Sequence, residues 1–181
     1  MNTTGMRIWT ISNGLSFFRM LLPVPVVFLS ANFLEHRSLL LCIFVLTWLT
    51  DIGDGYVARR FDQESDFGRI IDPLADKIFV SILVLLLLWK NFLPIWYVLV
   101  VLLRDVFILA GGIYLKKKSG TLAQSNYLGK AAVLSIGVCL ILSLFQHEMD
   151  SAIFFSALLV STLFLAASFA LYMKRLWQKD Q

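Results

Sequence analysis

Six apolar runs, at about 15–34, 38–59, 66–89, 93–115, 127–146 and 151–173, take up most of the 181 residues. Each is near the ~20 residues that an α-helix needs to cross a bilayer. Backbone amides inside hydrocarbon must be satisfied within their own segment, so runs of this length form helices rather than loops or open strands. A mean hydropathy of +0.78, with 59% hydrophobic and 15% charged residues, excludes a soluble domain of this size. The expected fold class is an all-α integral membrane protein with six transmembrane helices. An N-terminal interfacial helix is expected over residues 1–14, where Met6, Ile8, Trp9 and Ile11 stand among polar neighbours. Residues 1–181 then form a single membrane domain. A cleaved signal peptide is disfavoured, because Arg19 would lie in its apolar region and no small-residue cleavage site follows residues 29–31.

The distribution of Lys and Arg sets the orientation. Arg7, Arg59, Arg60, Lys116, Lys117, Lys118, Lys174, Arg175 and Lys179 fall on the side that holds both termini, against Arg37 and Lys90 on the other. A multi-pass protein with cytoplasmic termini is expected. The formal charge of +4 is thus a topology signal, and no nucleic-acid partner is expected. Cys42 and Cys139 lie inside apolar runs and read as packing residues rather than a disulfide or a metal pair. His36 and His147 fall in short outer loops and read as solvated.

Charges intrude where the bilayer should not tolerate them. Between Arg37 and Asp51 lie 13 uncharged residues, and between Lys77 and Lys90 only 12, each too few to span ~30 Å of hydrocarbon. Some of Asp51, Asp54, Asp72, Asp76 and Lys77 must therefore sit below the headgroups, at about 2.5 kcal/mol or more for each unpaired charge. Asp51 and Asp54 are spaced i, i+3 at the end of the second run. Gly68, Asp72 and Asp76 recur every four residues at the start of the third. Carboxylates gathered on two consecutive helix faces would not all ionise without cations between them. Hard oxygen donors select Mg²⁺, Mn²⁺ or Ca²⁺, and two ions would suit a phosphoryl displacement. Ion pairs with Arg59, Arg60, Arg69 and Lys77 are the plainer alternative. Gly55, Ala58 and Gly68 leave the backbone open to a flat ligand beside these acids, or to a closely packed helix.

Residues 51–76 read DIGDGYVARRFDQESDFGRIIDPLAD and fit D-x2-D-G-x2-A-R-x8-G-x3-D-x3-D at every fixed position. Chance would give such a match on the order of once in 10¹⁰ windows. The segment resembles the signature of the CDP-alcohol phosphatidyltransferase family, whose members are similar to this chain in having an interfacial N-terminal helix, six spans and cytoplasmic termini. The resemblance implies transfer of a phosphatidyl group from CDP-diacylglycerol to an alcohol, with release of CMP. It implies that Asp51, Asp54, Asp72 and Asp76 hold two divalent cations, Mg²⁺ or Mn²⁺, and that Asp76 is also the catalytic base. By the same resemblance Gly55, Ala58 and Gly68 line the cytidine site, and Arg59 meets the diphosphate.

The acceptor is expected to meet basic residues outside the signature: Arg19, Arg69, Arg104 and Lys130. An intramembrane arginine is a functional candidate by default, and guanidinium groups suit phosphate. Residues 13–19, NGLSFFR, and 72–77, DPLADK, resemble phosphatidylglycerophosphate synthases and cardiolipin synthases, which points to glycerol 3-phosphate as acceptor, with phosphatidylglycerol as the alternative. After Gly129-Lys130 the sequence departs from both groups, with Ala131, Ala132, Val133 and Leu134 where further polar residues are usual. An ion or proton transporter is the competing class. It is disfavoured because the outer halves of the runs carry no acid to continue a path. The resemblance implies a homodimer, and Gly111-Gly112 with Ala166, Ala167, Ser168 and Ala170 offer helix-packing faces.

Overall fold

The structure, a computed structural model, describes residues 14, 18, 20–33, 35–47, 68–119 and 127–180, with side chains described for all of these but 68–73, 115–119, 176 and 178–180. Among the described residues every regular element is helical. The helices are α1 (Pro23–Leu29), which runs into a 3₁₀ turn (Ser30–Asn32), α2 (Arg37–Thr47), α3 (Gly68–Trp89), α4 (Ile95–Ser119), α5 (Tyr127–Ser143) and α6 (Ser151–Asp180). The interfacial helix expected over 1–14 lies outside the described residues except for Gly14, which is helical. The chain divides into two compact units, Met1–Leu86 and Leu87–Gln181.

In the first unit, part of the helix expected over 15–34 lies among the described residues, and its backbone stays in the helical region through Leu22. A turn at Leu22, whose amide donates to the Phe18 carbonyl (3.2 Å), precedes α1, which starts on Pro23 with Pro25 close behind. Both proline nitrogens fall in the first turn, where amides have no intrahelical acceptor, so the prolines start this helix without losing a bond. At its end the Ser30 hydroxyl donates to the Val27 carbonyl (2.6 Å). In α2 the Thr47 hydroxyl donates to the Ile43 carbonyl (2.7 Å), which satisfies a polar group within an apolar helix. α3 has 22 residues, about 33 Å of helix. Val26, Leu40, Leu83 and Val84 are buried, whereas Phe28, Leu39 and Leu85 are exposed.

The second unit is built around α6, which packs against both α5 and α4. Its entry is a tight reversal after Trp89: the amides of Asn91 and Phe92 donate to the carbonyls of Leu88 (2.9 Å) and Leu87 (2.8 Å). Asn91 adopts φ 59, a left-handed conformation that asparagine tolerates better than most residues. The Pro94 carbonyl then accepts from the Tyr97 amide (3.1 Å), and α4 begins. The connection between α5 and α6 reaches this reversal, with Gln146 Nε2 donating to the Asn91 carbonyl (3.2 Å). His147, expected to be only solvated, also stands edge-on to Phe92 at 5.4 Å. α6 is capped by Asp150, whose carboxylate accepts from the Ala152 amide (2.9 Å).

Among the described residues two helices, Ile95–Tyr114 and Ser151–Arg175, are long and apolar enough to cross a membrane. Only 28% of the apolar window of each is buried, far less than the core helix of a soluble protein requires. Leu103, Val106 and Phe107 on α4, and Leu159, Leu163 and Phe164 on α6, are among the exposed apolar side chains. α6 continues to Asp180, past the expected end at 173, because Lys174 and Arg175 end the apolar stretch without breaking the helix. Both thiols are free: Cys42 is exposed, and Cys139 is buried with its Sγ 3.6 Å from the Ala157 carbonyl.

Candidate functional site

The start of α3 carries the second half of the acidic motif. Gly68, Asp72 and Asp76 fall on one stripe of this helix, four residues apart, with Asp76 about 12 Å along the axis from the first helical residue. Ala75 is fully buried, Asp76 and Lys77 are half-buried, and neither charged residue is without a partner. Two hard oxygen donors on one helix stripe fit divalent cations of the Mg²⁺ or Mn²⁺ class. Asp51, Asp54, Gly55, Ala58, Arg59 and Arg19 lie outside the described residues, as do the side chains of Arg69 and Asp72.

In the second unit α4 and α6 are joined by a seam of hydrogen bonds with one constant register. Tyr97 Oη and Ser161 Oγ are 2.8 Å apart, Arg104 Nη2 donates to Ser168 Oγ (3.1 Å), and Tyr172 Oη donates to the Ile108 carbonyl (3.0 Å). Each pair is separated by 64 residues, so the two helices run parallel. Gly112 continues this face, where a Cβ would meet Tyr172 Oη at 3.7 Å, an ordinary contact.

Arg104 is the charged member of the seam. It lies midway along the candidate span Ile95–Tyr114 and is buried. Its Nη1 donates to Asp105 Oδ1 at 2.6 Å, a buried ion pair, while Nη2 is held by Ser168, itself buried. The Nε atom is also buried and has no partner among the described residues. An unmet buried donor costs on the order of 1–3 kcal/mol. A guanidinium anchored at two nitrogens and unmet at the third is equipped to donate to an oxyanion.

The register of α5 brings Lys130 to the same height. Ser135 Oγ lies 2.9 Å from Ser161 Oγ, and four residues further along α5 Cys139 meets Ala157, four residues back on α6. These helices are therefore antiparallel. Followed toward the start of α5, this register sets Lys130 level with Ala166. Arg104 is level with Ser168, so the two basic residues share a layer within about one helical turn (5.4 Å) along the axes. Lys130 is exposed on the first turn of α5.

The register thus sets Arg104 and Lys130 at one height on two helices that each pack against α6, and Asp72 and Asp76 lie on one stripe of α3. Sequence reading missed Ser161 and Ser135 as bonding partners and took Ser168 only as a small packing residue. Tyr97 and Arg104 on α4, like Ser161 and Ser168 on α6, are set seven residues apart, but other polar residues share these runs and the spacing alone does not single them out.

A model of the family described as CDP-alcohol phosphatidyltransferase matches residues 9–172. The chain is 35% identical over 135 residues to a cardiolipin synthase (CMP-forming) of Streptomyces coelicolor, covering 72% of this chain and 62% of that protein. It is 36% identical over 112 residues to the human cardiolipin synthase (CMP-forming), covering 61% of this chain and 36% of that protein. It is 31% identical over 141 residues to a CDP-diacylglycerol–glycerol-3-phosphate 3-phosphatidyltransferase of Bacillus subtilis, covering 75% of this chain and 72% of that protein. The chain spans about three fifths of the length of the Streptomyces relative and about a third of the human one. With the match extending over nearly its whole length, the chain belongs to the CDP-alcohol phosphatidyltransferase family.

Proposed function

We propose that the protein is a membrane-embedded phosphatidyltransferase that moves the phosphatidyl group of CDP-diacylglycerol to glycerol 3-phosphate, giving phosphatidylglycerophosphate and CMP. The observation that carries this reading is the complete eight-position signature over residues 51–76, inside the segment that the family model matches. The proposed arrangement is six spans with both termini and the active site on the cytoplasmic side, in a homodimer. The exposed apolar faces of α4 and α6 and the distribution of Lys and Arg support a multi-pass topology. The whole chain acts as one membrane domain, since the family match runs across both compact units.

In this reading the acceptor hydroxyl attacks the phosphorus attached to diacylglycerol, the bond from that phosphorus to the CMP oxygen breaks, and the hydroxyl proton passes to Asp76. Asp51, Asp54, Asp72 and Asp76 would hold two divalent cations, which supply charge neutralisation at the diphosphate and at departing CMP. Gly55, Ala58 and Gly68 admit the cytidine, and Arg59 pairs with the diphosphate. Arg104 and Lys130 receive the phosphate of the acceptor, with Arg19 and Arg69 completing its basic surroundings. The unmet Nε of Arg104 supports its place in that assignment.

Phosphatidylglycerol is the second acceptor reading, favoured by the relatives named cardiolipin synthase at 35% and 36% identity. CMP release by the purified protein in detergent, with CDP-diacylglycerol, Mg²⁺ or Mn²⁺ and one acceptor at a time, tests both. Release that requires metal and glycerol 3-phosphate is the expected result. Release with phosphatidylglycerol alone would replace the first reading with the second, and no release with either would refute the proposal.

A further inference from the structure

The α4–α6 seam has three bonds at one register, and only the central one involves a charge. Tyr97 with Ser161 on one side, and Tyr172 with the Ile108 carbonyl on the other, fix how α4 lies on α6 whether or not Ser168 carries a hydroxyl. The contribution of Ser168 is therefore local: its Oγ accepts from Arg104 Nη2 at 3.1 Å, while Asp105 holds Nη1 at 2.6 Å. Asp105 is the next residue along α4, on the same flexible arginine's own helix. Ser168 is on another helix and provides the second anchor that stops the guanidinium plane from rotating about the first. With both anchors in place, the Nε edge keeps one direction, and that edge is the one without a partner among the described residues.

We infer that Ser168 is a positioning residue, which holds the Arg104 guanidinium so that its Nε edge is presented to an oxyanion of a phosphate-bearing acceptor. The inference rests on the acceptor role proposed for Arg104. Its chemistry is common to glycerol 3-phosphate and to the phosphodiester of phosphatidylglycerol, and the assay uses whichever of these supports CMP release. Ser168 does not touch the substrate. Its effect passes through Arg104 alone, and that requirement separates it from a packing residue.

The test measures CMP release against acceptor concentration at saturating CDP-diacylglycerol, and the converse, for Ser168→Ala, Ser168→Thr, Arg104→Ala and the Arg104→Ala/Ser168→Ala pair. Ser168→Ala is expected to raise the acceptor KM about tenfold, the scale of losing one hydrogen bond to a charged group, with the CDP-diacylglycerol KM within about twofold of wild type. Ser168→Thr, which keeps the hydroxyl, should restore the acceptor KM. In the Arg104→Ala background, Ser168→Ala should add nothing. Ser161→Ala serves as the packing control: it breaks a neighbouring seam bond and should lower thermal stability with the acceptor KM unchanged.

An unchanged acceptor KM in Ser168→Ala, beside a raised one in Arg104→Ala, would overturn the positioning role and leave the acceptor reading standing. Independent, multiplying losses in the pair would also overturn it. An unchanged acceptor KM in Arg104→Ala would overturn the acceptor reading and this inference together.

Discussion

The ion pair between Arg104 and Asp105 yields the sharpest energetic prediction. Both side chains are buried, the contact is 2.6 Å, and it lies midway along an apolar helix. Asp105→Leu leaves the guanidinium with only the neutral Ser168 hydroxyl, an uncompensated buried charge that costs about 3–5 kcal/mol. Arg104→Met costs less, because the Asp105 carboxylate keeps a further interaction. Replacing both residues removes both buried charges, so the pair is destabilised less than Asp105→Leu alone. At about 2–4 °C per kcal/mol for a chain of this size, Asp105→Leu lowers Tm by about 6–20 °C. The Arg104→Met/Asp105→Leu pair should recover at least half of that loss. Thermal unfolding of the purified protein in one detergent, followed by loss of helical circular dichroism, measures all four corners of the cycle. A pair as unstable as Asp105→Leu, or an Asp105→Leu variant as stable as wild type, would refute the argument. The pair should nevertheless fail to use acceptor, which separates what the charge does for folding from what it does for function.

Asp76→Asn should abolish metal-dependent CMP release while the protein still inserts and purifies; retained turnover would remove Asp76 from the proposed base and metal roles. Tyr97→Phe deletes the hydroxyl that meets Ser161 and should cost about 0.6 kcal/mol, the average for interhelical hydrogen bonds in membranes, and no more than about 1.7 kcal/mol, without changing CMP release. A Tyr97→Phe variant with wild-type Tm would show that the Ser161–Ser135 contact alone sustains the junction.

Much of the helical framework is legible in the sequence because hydropathy acts over a whole segment. The starts of α4 and α6 lie within two residues of where the apolar runs begin, since Pro94 and Asp150 are local signals for helix entry. The start of α1 is marked locally too, by Pro23 and Pro25, and a run-length argument passes over it because the flanking residues remain apolar. The extension of α6 to Asp180 escapes the same argument, which finds where a segment stops being apolar and not where it stops being helical. Asp72 and Asp76 share a helix stripe because four residues make about one turn, a regularity that spacing alone reveals. The partner of Arg104 is different. Asp105 is adjacent and easily suspected, but Ser168 is 64 residues away, and one serine among several in an apolar run carries no mark of its register. Only the packing of α6 between α4 and α5 selects it.

The separation of Arg104 from its two anchors also bears on how the protein is made. A ribosome adding about 5–20 residues per second reaches Ser168 several seconds after Arg104. During that interval α4 has left the exit tunnel, and the helix that completes its hydrogen bonding has not been synthesised. Asp105 emerges at once with Arg104, so the pair enters the translocation machinery as a near-neutral unit rather than as a lone cation. Membrane integration of nascent α4 should thus depend on Asp105 and be indifferent to Ser168. The same guanidinium is escorted during biogenesis by its neighbour in sequence and aligned afterwards by a neighbour in space.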